Sequence, residues 1–304
     1  MWSKIIPLRR HSVAVQGRAG NSGHMTTNGL DRRALLLGAM AAGMVAQGGT
    51  AWAAPFVSRR IAMNVRGAGR DVILISGLAS GPGIWNGVLG GVPGYRYHLV
   101  HVRGFAGLAP EGNASGALLQ PIADEIARYV TAAGLKRPAI VGHSMGGTLA
   151  MLLGLKGLAS RVMVVDMLPA GAAMVGGTAS GMGYLADQLS GYFTGTQAGR
   201  RYLAQIVAQA PGAKGSDPDV IANALRDLAN TDLGPQLSRL TAPLEVVYAV
   251  GSDAQQAASI TRSFQSAYAG KKSALLKPLG PSGHMVMADQ PARFHALLKD
   301  FLTV

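Results

Sequence analysis

The stretch Ile140-Val141-Gly142-His143-Ser144-Met145-Gly146-Gly147 decides how the rest of the chain is read. A short apolar run ends in one serine between glycines, and a helix is expected to open behind it at Thr148. This is the G-x-S-x-G pattern of a sharp strand-to-helix turn that lifts a serine hydroxyl clear of a sheet. Such a turn forces the serine into strained backbone angles. Side chains at the flanking positions would collide, so Gly142 and Gly146 leave the room. The following helix aims free N–H groups at the site, which suits a developing negative charge. Five residues of this kind also arise by chance in a chain with 42 glycines, so the pattern needs support from elsewhere.

A chain of 304 residues, 48% of them hydrophobic, can bury a large core, and 14% charged residues are too few for a disordered protein. There is no cysteine, which removes disulfides, thiolate metal sites and a cysteine nucleophile. The net charge of +13 is unevenly placed. Lys4, Arg9, Arg10, Arg18, Arg32 and Arg33 stand against Asp31 alone in residues 1–54. The remaining basic residues are scattered, apart from the pairs Arg59-Arg60, Lys136-Arg137, Arg200-Arg201 and Lys271-Lys272, and no basic stripe interleaved with aromatics speaks for nucleic acid.

Residues 1–54 read as an export signal with an upstream tail, and residues 55–304 as the working domain. Asp31-Arg32-Arg33-Ala34-Leu35-Leu36 resembles the twin-arginine signature, an apolar run continues to Val45, and Ala51-Trp52-Ala53 offers an A-x-A cleavage site. Gly43, Gln47, Gly48, Gly49 and Thr50 interrupt that run short of the roughly 20 apolar residues of a spanning helix. Met25 is an alternative start to Met1. The expected location is the periplasm or the exterior, with no stable membrane insertion after cleavage.

From Arg59 onward, β-rich runs alternate with helical patterns, which predicts an α/β fold with a mostly parallel sheet and helices on both faces. Ile61–Val65 reads as an edge strand. Further strands are expected at Asp71–Ile75, Tyr95–Val102, Pro138–Val141, Arg161–Asp166, Leu244–Val250 and Ser273–Leu279. Helices are expected at Leu118–Ala132, Thr148–Leu158, Ala257–Tyr268 and Pro291–Leu302. Residues 167–236 break the rhythm with Gly-rich turns and three helical stretches, Gly183–Phe193, Gly199–Ala210 and Pro218–Ala229. His98 and His101, three apart on a strand, face opposite sides and cannot share an ion, so no metal or other cofactor is expected.

Three further motifs join the serine turn. Ser76-Gly77-Leu78 follows the second strand, Arg103-Gly104-Phe105-Ala106-Gly107 follows the third, and Gly283-His284 leads through Met285–Gln290 into a helix opening at Pro291. Together they resemble the α/β-hydrolase family, on its serine-nucleophile, esterase- and lipase-like side. The first matches that family's His-Gly-x loop with Ser76 in place of histidine. The second resembles its Arg-Gly-x-Gly turn, and the last its histidine loop and closing helix. The resemblance implies that the backbone N–H of Leu78 helps hold an oxyanion, and that the insertion at about 167–236 is a cap over the site. Phe105, Met167, Met174, Met182 and Tyr184 would then line an apolar pocket, methionine being an adaptable lining.

Ser144, Asp253 and His284 occur in the order this fold uses, each just past the end of an expected strand, where ligands sit in open α/β sheets. His284 would take the serine proton and Asp253 would orient the imidazole, while the N–H groups of Met145 and Leu78 would face the oxyanion. Asp166 also ends a strand and is the alternative acid. His143, His295 and Asp289 read as structural. Serine at position 144 argues against the aspartate-nucleophile branches of the fold. The expected activity is hydrolysis of a small to medium, fairly apolar carboxylic ester. The alternatives are an amidase, a peptidase or a carbon–carbon bond hydrolase with the same triad, and a hydrolase-like binding protein with little turnover. A small-molecule substrate is the expected partner, and oligomeric state is left open.

Overall fold

A computed structural model of the chain describes residues 56–171, 196–208 and 212–303. Seven strands form one sheet: β1 (Ile61–Gly67), β2 (Arg70–Ile75), β3 (Tyr95–Val102), β4 (Ala139–His143), β5 (Arg161–Val165), β6 (Leu244–Ala249) and β7 (Leu275–Leu279). Their order is β1-β3-β2-β4-β5-β6-β7, with β1 antiparallel to β3 and every other pair parallel. The helices are α1 (Asn86–Gly91), α2 (Leu119–Ala132), α3 (Met145–Leu155), α4 (Gln197–Ala208), α5 (Pro218–Ala229), α6 (Ala254–Ala267), α7 (Val286–Asp289) and α8 (Pro291–Thr303).

The central strands are continuous apolar runs because both faces of the sheet are covered. Alternate residues feed two separate cores. Ile73, Ile75, Ile140, Val162, Val164, Val246 and Tyr248 point to one side, where they join Ile122 and Ile126 of α2, Leu149 and Leu153 of α3, and Phe264 of α6. Val72, Leu74, Val141, Met163, Val165 and Val247 point to the other, with Trp85, Val88 of α1, and Phe294, Leu298 and Phe301 of α8. Each such side chain contributes about 1.5–3 kcal/mol by leaving water, so the inner strands are the most firmly held part of the molecule. The edges are less apolar. β7 carries Pro278, which cannot donate to a neighbour and is tolerated because, among the described residues, nothing pairs beyond it.

The element boundaries that differ most from expectation are those of α3 and α6. Helix α3 opens at Met145, immediately behind Ser144, so Gly146 and Gly147 are helical despite their poor propensity. Close packing compels this: a Cβ on Gly146 would lie 2.3 Å from the Ile75 carbonyl oxygen. The same helix ends at Leu155 because Gly157, at φ +74°, turns the chain away. Helix α6 opens three residues early, at Ala254, for a reason that bears on the site and is given below.

Between β5 and β6 the insertion contributes α4 and α5. Residues 172–195, including the expected helical stretch Gly183–Phe193, lie outside the described residues. Helix α5 is capped by Asp217, whose side chain accepts from the N–H groups of Asp219 and Val220, with Pro218 at its first position. It is tied to the body of the fold. Asp227 accepts from the N–H groups of Leu118 (2.6 Å) and Leu119 (3.2 Å), supplying the cap that α2 lacks from its own sequence.

Candidate active site

The turn between β4 and α3 has the strain its sequence implies. Ser144 sits at φ 54°, ψ −125°, a combination costing of order 1–3 kcal/mol for a non-glycine residue. Surrounding bonds hold it there. Its N–H donates to Val165 O at 2.9 Å, and its carbonyl accepts from Gly147 N at 2.7 Å. The flanking glycines are required by space: a Cβ on Gly142 would stand 1.9 Å from the Gly146 carbonyl oxygen. Ser144 is the partly exposed residue of an otherwise buried run from Ala139 to Ala150.

His284 reaches the same rim from the loop after β7. Its Nδ1 lies 2.6 Å from Oδ2 of Asp166, whose other oxygen, Oδ1, accepts from Ala249 N at 2.9 Å. Asp166 follows β5 directly, in the left-handed region at φ 51°, and its side chain is only 3% exposed. A buried carboxylate of this kind needs all its partners, and here each oxygen has one. The expectation that Asp253 partners His284 is therefore corrected. The Asp253 side chain accepts from Gln256 N at 2.7 Å and caps α6, which is why that helix starts early.

The expected oxyanion donors are backbone groups. Met145 N–H opens α3 and Leu78 N–H lies on the loop after β2; among the described residues neither has a protein acceptor. Gly77 brings the two segments together, since a Cβ there would meet Ser144 Cβ at 3.0 Å and His143 Nδ1 at 2.9 Å. Three serine hydroxyls hold the loop. Ser76 donates to Gly81 O (3.0 Å), Ser80 to Leu78 O (3.3 Å) and Ser216 to Ala79 O (2.8 Å), while Ser80 N donates to Gly77 O (3.1 Å). Ser76 thus supplies a loop-closing bond at the position where the sequence departs from the family's histidine.

The histidine loop is held from three sides. Asp289 accepts from Gly283 N (2.8 Å), Gln290 donates to Pro281 O (2.7 Å), and His143 Nε2 lies 2.9 Å from the carbonyl oxygen of His284. The two imidazoles are 4.5 Å apart between ring centres. Burial pushes the His143 pKa down to about 3, and the neighbouring His284 pushes the same way against the raising effect of the backbone bond. His143 is thus neutral and donates from Nε2. Below Asp166, Tyr268 donates to Met167 O at 2.7 Å, and burial, then the Asp166 charge, holds its phenol protonated by raising its pKa.

Two expected pocket residues sit elsewhere. The turn through Gly104, at φ +91°, sends Phe105 into the core with Ile75 and Leu118, and Met167 is buried in the same core. Neither presents surface to a ligand. Met174, Met182 and Tyr184 lie outside the described residues. His98 and His101 do face apart: His98 contacts Asp71 (2.9 Å) and the Tyr129 hydroxyl (2.7 Å), and His101 contacts Phe105 O (2.8 Å). Among the described residues no group of three or more His, Asp or Glu could hold a metal ion, and no helix is long and apolar enough to cross a membrane.

The sequence-missed members of this arrangement are the Asp166–His284 pairing as first choice, the His143 clamp and Ser216. One signal for the first was available. Asp253-Ala254-Gln255-Gln256 reads as a helix N-cap with glutamine at the third helical position, which already occupies that carboxylate.

Comparisons with known proteins agree with this architecture. The model of the alpha/beta hydrolase family matches residues 72–297, most of the chain. By structure the chain is similar to an esterase from Exiguobacterium antarcticum, with a TM-score of 0.62 at 18% identity over 80% of this chain and 96% of that one. It is similar also to an enol-lactonase from Burkholderia xenovorans (TM-score 0.57, 18% identity, 80% and 96%) and to a hydrolase from Pseudomonas aeruginosa (TM-score 0.58, 20% identity, 80% and 94%). No curated protein matches by sequence. With a family match over most of its length and a sheet, serine turn and histidine loop in the corresponding order, the chain belongs to the α/β-hydrolase family and is a hydrolase.

Proposed function

We propose that the protein hydrolyses carboxylic esters, small to medium and fairly apolar, through Ser144, His284 and Asp166. The observation that carries this reading is the 2.6 Å contact between His284 Nδ1 and a buried Asp166, on the rim where Ser144 is held in its strained turn. Asp166 fixes the tautomer in which Nδ1 carries the proton, leaving Nε2 free to accept one. The Ser144 hydroxyl then attacks the ester carbonyl carbon as its proton passes to Nε2. The oxyanion of the tetrahedral intermediate accepts from the N–H groups of Leu78 and Met145, at the positive end of α3. Collapse expels the alcohol, which takes the proton from His284, and water repeats the sequence on the acyl-serine.

The insertion serves in this reading as the cap that shapes the acyl pocket. The likeness to an esterase and an enol-lactonase supports including both open-chain and cyclic esters among the candidate substrates. We also assign residues 1–54 as a twin-arginine-like export signal, supported by Arg32-Arg33 and Ala51-Trp52-Ala53, which makes the working enzyme periplasmic or secreted. The test is a panel of p-nitrophenyl esters, lactones and matched anilides on protein beginning near residue 55. Esters or lactones are expected to turn over and the anilides far more slowly. Faster anilide cleavage would move the assignment to an amidase, and a folded sample inert across the panel to a binding protein.

A further inference from the structure

Among the described residues, the loop that carries Leu78 is closed by side-chain bonds from within itself and by one from outside it. Ser76 and Ser80 belong to the loop, but Ser216 comes from the insertion, one residue before the cap of α5. Its hydroxyl donates to Ala79 O at 2.8 Å and accepts from Ala106 N at 2.8 Å, so it bridges the loop after β2 to the turn after β3. The bridged residue is an awkward one. Ala79 is fully buried and left-handed, at φ 59°, a conformation alanine adopts only when its surroundings impose it. Its carbonyl belongs to the Ala79–Ser80 peptide, two peptide units along from the Gly77–Leu78 peptide that carries the Leu78 N–H, with the strained φ of Ala79 between them.

The bridge has a rigid foundation. Asp217 N donates to Gly104 O (2.7 Å) and Gly107 N donates to Gly215 O (3.2 Å), bracketing Ser216 on both sides. Val220 fills the space beside Gly104, where a Cβ would come within 2.6 Å of it. The Ser216 side chain is nearly buried, so water does not readily replace it.

We propose that Ser216 is a positioning residue for the oxyanion donor at Leu78, and that through it the segment entering α5 is coupled to catalytic competence. The insertion then does more than cover the site: its docking on the turn after β3 sets the backbone that stabilises the transition state. This rests on the serine-hydrolase reading above. Loss of the Ser216 hydroxyl frees Ala79 O and relaxes the strained loop, misaligning a donor without removing it.

The experiment compares Ser216→Ala with Leu298→Ala, which removes a buried side chain of α8 from the core on the other face of the sheet and leaves the bridge and its docking surface intact. For Ser216→Ala, kcat on the best p-nitrophenyl ester is expected to fall about 10- to 100-fold, below the 10²–10³ of a deleted oxyanion donor. KM should stay within about twofold, and the pH at which kcat/KM falls on the acid side should not move, since His284 and Asp166 are untouched. Leu298→Ala is expected to lower Tm while keeping kcat. Unchanged kcat in Ser216→Ala, or losses in both variants that track Tm alone, would overturn the proposal. A wild type that neither turns over esters nor is labelled at Ser144 by a fluorophosphonate would overturn the serine-hydrolase reading itself.

Discussion

Replacing Asp166 by asparagine tests the relay at its most constrained point. In the native site Oδ2 faces His284 Nδ1 at 2.6 Å and Oδ1 accepts from Ala249 N at 2.9 Å. Asparagine has one acceptor and one donor in those places. If its amide oxygen stays on Ala249 N, its NH2 points at Nδ1 and forces the imidazole into the tautomer protonated at Nε2, which cannot take the serine proton. If the amide flips, two N–H donors meet at Ala249 and the buried contact is lost. The first arrangement keeps the backbone bond and is the one expected. The wrong tautomer costs about 10⁴ in kcat, some 5 kcal/mol of transition-state stabilisation at about 1.4 kcal/mol per decade. Asp253→Asn is the matched control, because asparagine caps a helix as well as aspartate does and α6 should keep its start. Initial rates on a p-nitrophenyl ester, with far-ultraviolet circular dichroism to confirm folding, give the comparison. A loss in Asp253→Asn equal to that in Asp166→Asn would refute the reasoning, as would an Asp166→Asn enzyme within tenfold of wild type.

Two further outcomes follow from the same turn. Gly142→Ala should yield little soluble protein, because its methyl would meet the Gly146 carbonyl oxygen at 1.9 Å and Gly147 N at 2.7 Å, backbone atoms that cannot swing aside; normal yield and Tm would contradict this. His143, with its pKa held near 3 against 6.5 when unfolded, makes stability pH-dependent. Between those values the unfolded chain binds a proton that the folded chain does not, so this contribution is complete above pH 6.5 and is lost as pH falls, at up to about 1.4 kcal/mol per unit. Urea midpoints of His143→Gln should fall less steeply than wild type from pH 6 to 4, and parallel slopes would contradict it.

Much of the fold was legible because the inner strands are apolar on both faces and leave an unbroken signature, as at Val72–Ile75 and Val162–Val165. Ser144 and His284 were legible for a related reason, since tight turns with glycine neighbours constrain sequence locally. The acid was harder. Asp166 and Asp253 both follow strands, and distance along the chain says nothing of which carboxylate turns toward the histidine. Competition decided it: Asp253 directly precedes a helix whose N–H groups claim it, whereas residues 167–170 behind Asp166 are not helical. Phe105 and Met167 were misread because an apolar side chain near a site and one beneath it look alike in sequence, and only the Gly104 turn separates the two for Phe105. Ser216 left no local trace. Its partners Ala79 and Ala106 lie more than 100 residues away and are engaged through their backbone, which their side chains do not advertise.

The central claim is that Ser144 is the nucleophile. The most direct measurement is the intact mass of the protein, and of its Ser144→Ala variant, after reaction with a fluorophosphonate, followed by peptide mapping. The wild type is expected to gain one phosphonyl group, mapped to Ser144 and accompanied by complete loss of ester hydrolysis, while Ser144→Ala gains none. Adduct formation that persists in Ser144→Ala, or ester hydrolysis that survives full modification of Ser144, would contradict the account.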